Sequence, residues 1–285
     1  MSRDVRTILF TLLALIGFAA NSLLCRRALG FGLIDPVSFT AVRLLSGAAA
    51  LALILALRRD KPQGGRWLSA LALFAYAAAF SASYVRIGAG VGSILLFGSV
   101  QATMLFWGLI RGERPGPMQW LGIALALGGL GLLNVRGAHA PDSIGALLMI
   151  GAGVSWGVYS LRGRGGKDPL ATTGSNFLLT LPMTAVLAFL FARSLRASAA
   201  GIGLAVTSGA LASGVGYSLW YAALPFLSAT RAAAVQLSVP VLAATGAVLL
   251  LGESITARLV ISAAAILGGV WLAIRRHRTR RRRTS

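Results

Sequence analysis

Runs of about twenty apolar residues, each broken off by charge, glycine or proline, recur along the whole chain and predict its architecture. Ten can be marked: Thr7 to Leu24, Pro36 to Leu57, Trp67 to Val85, Val91 to Ile110, Met118 to Val135, Ile144 to Leu161, Leu170 to Ala192, Ile202 to Ala223, Ala229 to Leu251 and Thr256 to Ile274. A bilayer core is about 30 Å thick, so a spanning helix needs roughly 20 apolar residues. Each run is long enough, and the polar segments between them are too short to hold a soluble domain. The pattern predicts an all-α integral membrane protein of ten transmembrane helices, forming one transmembrane domain over residues 1–285.

Composition agrees with the pattern. Hydrophobic residues make up 56% and charged residues 12%, against about 25% charged in an ordinary soluble domain. The formal charge of +20 raises a nucleic-acid reading, since basic chains bind phosphates. Position argues for a membrane instead. Seven of the 27 basic residues form the tail Arg275, Arg276, Arg278 and Arg280 to Arg283, and nearly all the rest fall between apolar runs. No nucleic-acid partner is expected. The tail suits anionic lipid at about 1 kcal/mol per residue.

Arg3 and Arg6 before an apolar run resemble the start of a secretory signal, but this run has a counterpart later in the chain and is read as the first span. A lone cysteine, Cys25, forms no intrachain disulfide and is read as a packing residue. With both termini on one side, that side collects eighteen Lys and Arg and the other seven, or eleven against seven without the tail. The positive-inside rule then places both termini of this multi-pass membrane protein in the cytoplasm.

The chain repeats itself. Its only two glutamates, Glu113 and Glu253, each follow a glycine and stand 15 residues before a glycine pair, Gly128-Gly129 and Gly268-Gly269. Its only two Asp-Pro pairs, Asp35-Pro36 and Asp168-Pro169, each open the second span of a half. The spacing marks two repeats, one over about 5–137 and one over about 142–276, with a basic tail at 275–285. Five crossings is an odd number, so the second repeat must enter the bilayer from the opposite side. Two inverted five-helix repeats enclose a central site with two related ways of closing it, which is the geometry of alternating access.

These features resemble the two repeats of the EamA type in the drug/metabolite transporter superfamily. The resemblance rests on the Gly-Glu after the fourth and ninth spans, the following Gly-Gly, Pro240 thirteen residues before Glu253, Phe18 to Asn21 and Trp156 to Tyr159 in the first and sixth spans, and Asp35-Pro36 followed by Arg43. It covers essentially the whole chain. Two departures are visible: Val100 stands where the second repeat has Pro240, and the aromatic-Gly-x-Asn start is imperfect in both copies. The resemblance implies a ten-helix inner-membrane carrier, commonly an exporter of amino acids or related metabolites, with a cavity lined by the first, third, fourth, sixth, eighth and ninth helices.

Candidate transport residues follow from position. All seven acids and both histidines, His139 and His277, lie at span ends or in loops. No mid-membrane carboxylate or imidazole is predicted to relay a proton, which favours facilitated movement of a solute down its own gradient over ion-coupled antiport. Aromatics with polar handles are the substrate-binding candidates: Tyr76, Phe80 and Tyr84 on one face of the third span, Trp156 and Tyr159 on the sixth, Tyr217, Trp220 and Tyr221 on the eighth. They suit amino acids with bulky or aromatic side chains. The competing reading is an interfacial aromatic belt, favoured for Trp67, Tyr84 and Tyr221 near span ends.

The amides Asn21, Gln101, Asn176 and Gln236 lie within spans and serve either the cavity or interhelical bonding. Arg43, about 12 Å into its span at 1.5 Å per residue, points inward, either tying helices through backbone carbonyls or binding a substrate carboxylate. Glu113, Glu253 and Pro240 are read as structural or gating residues, the glutamates through local pairing or capping beside arginines. Glycines at 88, 90 and 92 and at 151, 153 and 157 are assigned to helix packing, because no phosphate-binding lysine-serine follows them. No metal or cofactor is called for, and a small-molecule substrate and the lipid bilayer are the expected partners. Other readings stay open: an ion-coupled exporter of drugs, nucleosides or sugars on the same fold, a channel, or an intramembrane enzyme. Oligomeric state is not legible.

Overall fold

The structure is a computed structural model that describes residues 3–87, 89–134, 142–165, 168–251 and 255–274. Glu253, both histidines and the arginine tail lie outside the described residues. The helices are α1 (Arg3–Gly30), α2 (Pro36–Leu57), α3 (Trp67–Tyr84), α4 (Ala89–Ile110), α5 (Pro117–Asn134), α6 (Ser143–Arg162), α7 (Pro169–Leu190), α8 (Ala199–Thr207), α9 (Gly216–Ala223), α10 (Ala229–Gln236), α11 (Val239–Leu251) and α12 (Ala257–Ile274). Among the described residues eight helical stretches are long and apolar enough to cross a membrane, and Pro117–Leu133 is a shorter apolar one. Residues such as Ile8, Leu12, Ile16, Leu45 and Leu53 stand outward on these helices, more than half exposed apart from the neighbouring faces they share. An apolar exterior of this kind suits hydrocarbon as the surrounding solvent.

Two of the expected spans are not simple helices. The eighth passes from α8 through a π-helical segment, Ser208–Val215, into α9. That segment lies on α2, where the missing Cβ of Gly209 makes room for the Arg43 carbonyl and the Ser46 hydroxyl. The ninth breaks between α10 and α11, with Leu237 and Ser238 in a turn and Pro240 at the second position of α11. Proline has no N–H to donate and fits the first turn of a helix, so it starts α11 where it would have interrupted a continuous one.

Both Asp-Pro pairs are helix starts. The Asp35 carboxylate accepts from the N–H groups of Val37 and Ser38 at 2.9 and 3.0 Å, and that of Asp168 from Leu170 and Ala171 at 2.9 and 3.1 Å. The capping side chain followed by proline satisfies donors that a helix N-terminus leaves open. The helices they start, α2 and α7, pack antiparallel. At one end Asp35 accepts from Arg196 N–H at 2.6 Å, and Ile34 bridges to Ala197. At the other end Gln63 donates its N–H to Ala171 O at 3.3 Å, and Arg66 donates its N–H to Asn176 Oδ1 at 3.1 Å. Asp35 and Asp168 therefore sit at opposite ends of the bundle.

Glycine sets the closest helix contacts. On α6, Gly153 lies against the Leu96 carbonyl and Gly157 against Thr103 of α4. Helices α5 and α12 cross through Gly122 and Gly269: a Cβ on either would stand 2.6 Å from a backbone nitrogen of the other helix, Ala273 or Ala126. Gly129 also packs on Ile266, whereas Gly128 and Gly268 face open space. Small residues let backbones approach where lipid offers no hydrophobic gain for association. Gly122→Leu should therefore overpack the crossing by ~2 kcal/mol and lower the melting temperature of the detergent-solubilised protein by roughly 5 °C. An unchanged melting temperature would contradict this packing.

Candidate functional site

The aromatic candidates converge at mid-bundle on Trp156. Its ring centroid lies 4.6 Å from Tyr217, 5.0 Å from Tyr76, 5.1 Å from Phe18 and 5.7 Å from Tyr159. The Phe18 contact is edge-on at 87°, an arrangement favoured by the ring quadrupole. Trp156 Nε1 donates to Gln236 Oε1 at 2.6 Å, which fixes the indole and satisfies the amide. On the opposite wall Asn21 Oδ1 accepts from Ser208 Oγ at 2.6 Å.

These side chains enclose a chamber of about 30 Å³ with walls from α1 (Phe18, Asn21, Ser22), α3 (Tyr76, Phe80), α4 (including Val100), Trp156 of α6, Tyr217 of α9, Gln236 of α10 and Val239 of α11. Those are the first, third, fourth, sixth, eighth and ninth spans. That is room for little more than a water or two. No Asp, Glu or His lines it among the described residues.

Arg43 stands behind two of the chamber's tyrosines and is 1% exposed. Its Nε donates to Ser213 Oγ at 2.9 Å and its Nη2 to Tyr217 OH at 2.5 Å, and its guanidinium lies 5.3 Å from the Tyr76 ring centroid. The tie therefore runs to hydroxyls on the other half of the chain, not to backbone carbonyls. Nη1 has no partner, and Arg43 forms no ion pair among the described residues. A fully buried cation without a countercharge is costly, which sets Arg43 apart from the other described basic residues.

A second, larger cavity of about 430 Å³ opens on the face that carries residues 58–66, 162–165 and 168. Gln63, Arg66, Ser69, Arg162, Asp168, Thr172, Asn176 and Tyr221 are among its walls. Tyrosines separate it from the chamber. Tyr221 stacks on Tyr159 at 4.9 Å, and Tyr159 in turn packs 6.1 Å from Tyr217.

Several candidates fall elsewhere than the sequence implied. Tyr221 is 1% exposed and belongs to this second cavity, not to an interfacial belt, because Gly163 leaves room for its ring. Trp220 is wholly buried, with Nε1 donating to Ser160 Oγ at 3.1 Å, and does not reach the chamber. Tyr159 backs Trp156 without lining the chamber, and Tyr84 packs on Phe80 at 4.7 Å outside it. Gln101 donates through Nε2 to the Ala233 carbonyl, tying α4 to α10 outside the chamber. Trp67 is 61% exposed, as a belt residue would be. Sequence reasoning passed over Phe18 as a wall, Ser213 as a partner of Arg43, and Ser69 and Arg162 as neighbours. Ser213 and Tyr217 stand four residues apart on the eighth span, but Arg43 lies on the second, 170 and 174 residues away, so no spacing rule could join it to them.

Glu113 pairs across the two halves and not with its sequence neighbours. Its carboxylate accepts from Ala229 N–H at 2.7 Å, Thr230 N–H at 3.0 Å and Thr230 Oγ1 at 2.8 Å, and lies 3.8 Å from Arg164. It caps α10, the first piece of the broken ninth span. Burial alone would raise its pKa, but the Thr230 and Ala229 bonds and Arg164 outweigh burial and hold it below the ordinary 4.5. A carboxyl depressed in the folded state stabilises fully above its unfolded pKa and loses that contribution as pH falls through the folded one. Glu113→Gln should cost about 1 kcal/mol at neutral pH. The gap in melting temperature from wild type should close below pH 4.5; a gap that persists there would contradict the capping role.

Comparison with known proteins agrees with this architecture. The model of the EamA-like transporter family matches residues 5–135 and again residues 143–275. The chain belongs to the EamA-like transporter family. An uncharacterized protein of Pseudomonas aeruginosa is 55% identical over 273 residues, 95% of each chain. The uncharacterized transporter YwfM of Bacillus subtilis is 27% identical over 232 residues, 78% of each. A probable terminal-alkyne amino-acid exporter of Streptantibioticus cattleyicolor is 28% identical over 223 residues, 76% of this chain and 74% of its own. One crystal structure shares the fold with a TM-score of 0.74 at 21% identity, over 92% of this chain and 97% of that one. As an EamA-like transporter, the chain is a multi-pass membrane protein with a small-molecule substrate.

Proposed function

We propose that this EamA-like transporter carries amino acids with bulky or aromatic side chains out of the cytoplasm by alternating access, as a facilitative carrier of ten transmembrane helices in two inverted five-helix repeats. The observation that carries the reading is the Trp156 chamber, an aromatic box at the meeting of the two halves with a buried, unpaired arginine behind it. Aromatic walls give large contact with an apolar side chain, and a desolvated guanidinium favours a carboxylate nearby.

The packing supports inversion. The loop before α2 pairs with the loop after α7, and the loop after α2 pairs with the start of α7. Likewise α1 packs on the π segment and α9, while α3 packs on α6, the same relation with the halves exchanged. A chamber without acid or imidazole among the described residues supports facilitation without proton relay. The relative in Streptantibioticus cattleyicolor, a probable terminal-alkyne amino-acid exporter, supports an amino-acid substrate.

Counterflow in proteoliposomes tests the proposal, with radiolabelled phenylalanine, leucine and tryptophan set against nucleosides, sugars and cationic drugs. Saturable amino-acid counterflow that survives collapse of the proton gradient is expected. Counterflow confined to the other solutes, or abolished with the gradient, would overturn it.

A further inference from the structure

Residue by residue, the 430 Å³ cavity is a built site in its own right, of the size that holds small molecules. Two arginines line it, Arg66 and Arg162, and neither forms an ion pair among the described residues. Arg162 is positioned: its Nε donates to Ser69 Oγ at 2.9 Å, leaving its terminal nitrogens for the cavity. Asn176 is 1% exposed, its Oδ1 is taken by the Arg66 N–H, and its Nδ2, beside the Tyr159 and Tyr221 hydroxyls, makes no hydrogen bond of good geometry. A buried amide donor left open costs free energy unless something accepts from it. Among the described residues two arginines stand on the wall against one acid, Asp168, whose Oδ1 is spent on the α7 cap, so the lining is net positive. Donors without acceptors, in a cavity of excess positive charge, call for an anionic acceptor.

We infer that this cavity is a docking site for the α-carboxylate of an amino acid, held by Arg162, Asn176 Nδ2 and Arg66 before the ligand passes the tyrosine layer into the Trp156 chamber. The inference rests on the proposed amino-acid substrate but concerns a separate place in the molecule. A carboxylate offers the two acceptor oxygens that a guanidinium and a neighbouring amide N–H can share. The ammonium group then faces Asp168 and Gln63 on the same wall. Tyr221, stacked on Tyr159, closes the inner end.

The test separates the two sites. Thr172 lines the cavity, and Thr172→Cys, in a full-length chain with Cys25→Ala, gives a thiol whose labelling by a maleimide reports occupancy. Adding Trp156→Ala disables the chamber. In that background phenylalanine should still slow labelling of the thiol at least fivefold, while phenylalaninamide, which lacks the carboxylate, should not. Arg162→Gln should abolish the protection, and Arg162→Lys should restore part of it. Protection absent in the Trp156→Ala background, or equal for the amide, would overturn the docking site and leave the carrier reading untouched. Loss of wild-type counterflow for every amino acid would instead overturn the carrier reading.

Discussion

Replacing Trp156 with alanine is expected to cut amino-acid counterflow about a hundredfold in transport efficiency, or ~2.7 kcal/mol at 1.36 kcal/mol per factor of ten. Trp156 is the ring that touches four others, three of them chamber walls, and it holds Gln236 through Nε1. Each aromatic pair adds about 0.5–1.5 kcal/mol beyond area burial, and losing the indole also leaves Gln236 Oε1 without its donor. Truncation of a buried tryptophan costs about 3–5 kcal/mol of stability as well, so Trp156→Phe is the necessary partner. It keeps a ring and loses the Nε1 bond, and about a tenfold loss of transport with near-normal stability is expected. Rates measured on equal amounts of folded protein in liposomes check both. Unchanged transport in Trp156→Ala would remove the chamber from the substrate's path.

Arg43→Met should separate stability from function. A buried ion pair or lone buried charge is often replaced by an apolar residue of similar size without loss of stability, and sometimes with a gain. Arg43 has no countercharge among the described residues, and its bonds go to two hydroxyls that can turn to other acceptors. The melting temperature of Arg43→Met is therefore expected to equal or exceed that of wild type, while amino-acid counterflow falls about a hundredfold. Sites held against stability for the sake of activity show this trade-off. A variant that is strongly destabilised yet transports normally per folded molecule would make Arg43 a structural tie and nothing more.

The helical plan was legible because lipid imposes length and polarity rules that water does not. Pro36–Leu57 begins and ends where the apolar run does, and both Asp-Pro pairs open helices where the sequence put span starts. The bends were not legible. Nothing in an apolar run distinguishes the π segment at Ser208–Val215 from regular helix, and the break before α11 follows from Pro240, read as a structural or gating residue inside one continuous span. Within the candidate site, residue type told more than position. Trp156, Tyr217, Asn21 and Gln236 meet at one chamber because large or polar groups at membrane depth have few other places to go. Gln101 and Trp220 obey the same rule by bonding to protein, so burial and polarity alone could not separate wall from tie. Glu113 shows the limit most clearly. Its arginine neighbours in sequence suggested local pairing or capping, and it does cap, but the helix it caps starts 116 and 117 residues away.

The most direct test of the central claim, a single chamber open in turn to each face, is a cysteine at Ser22. Ser22 lines the chamber and donates only to the carbonyl of Phe18 in its own helix, at 3.1 Å, so the replacement is mild. In a Cys25→Ala background, right-side-out and inside-out vesicles would be treated with a membrane-impermeant maleimide, with and without phenylalanine. Alternating access predicts labelling from both faces, each slowed by the amino acid. Labelling from one face alone, or labelling indifferent to the amino acid, would contradict it.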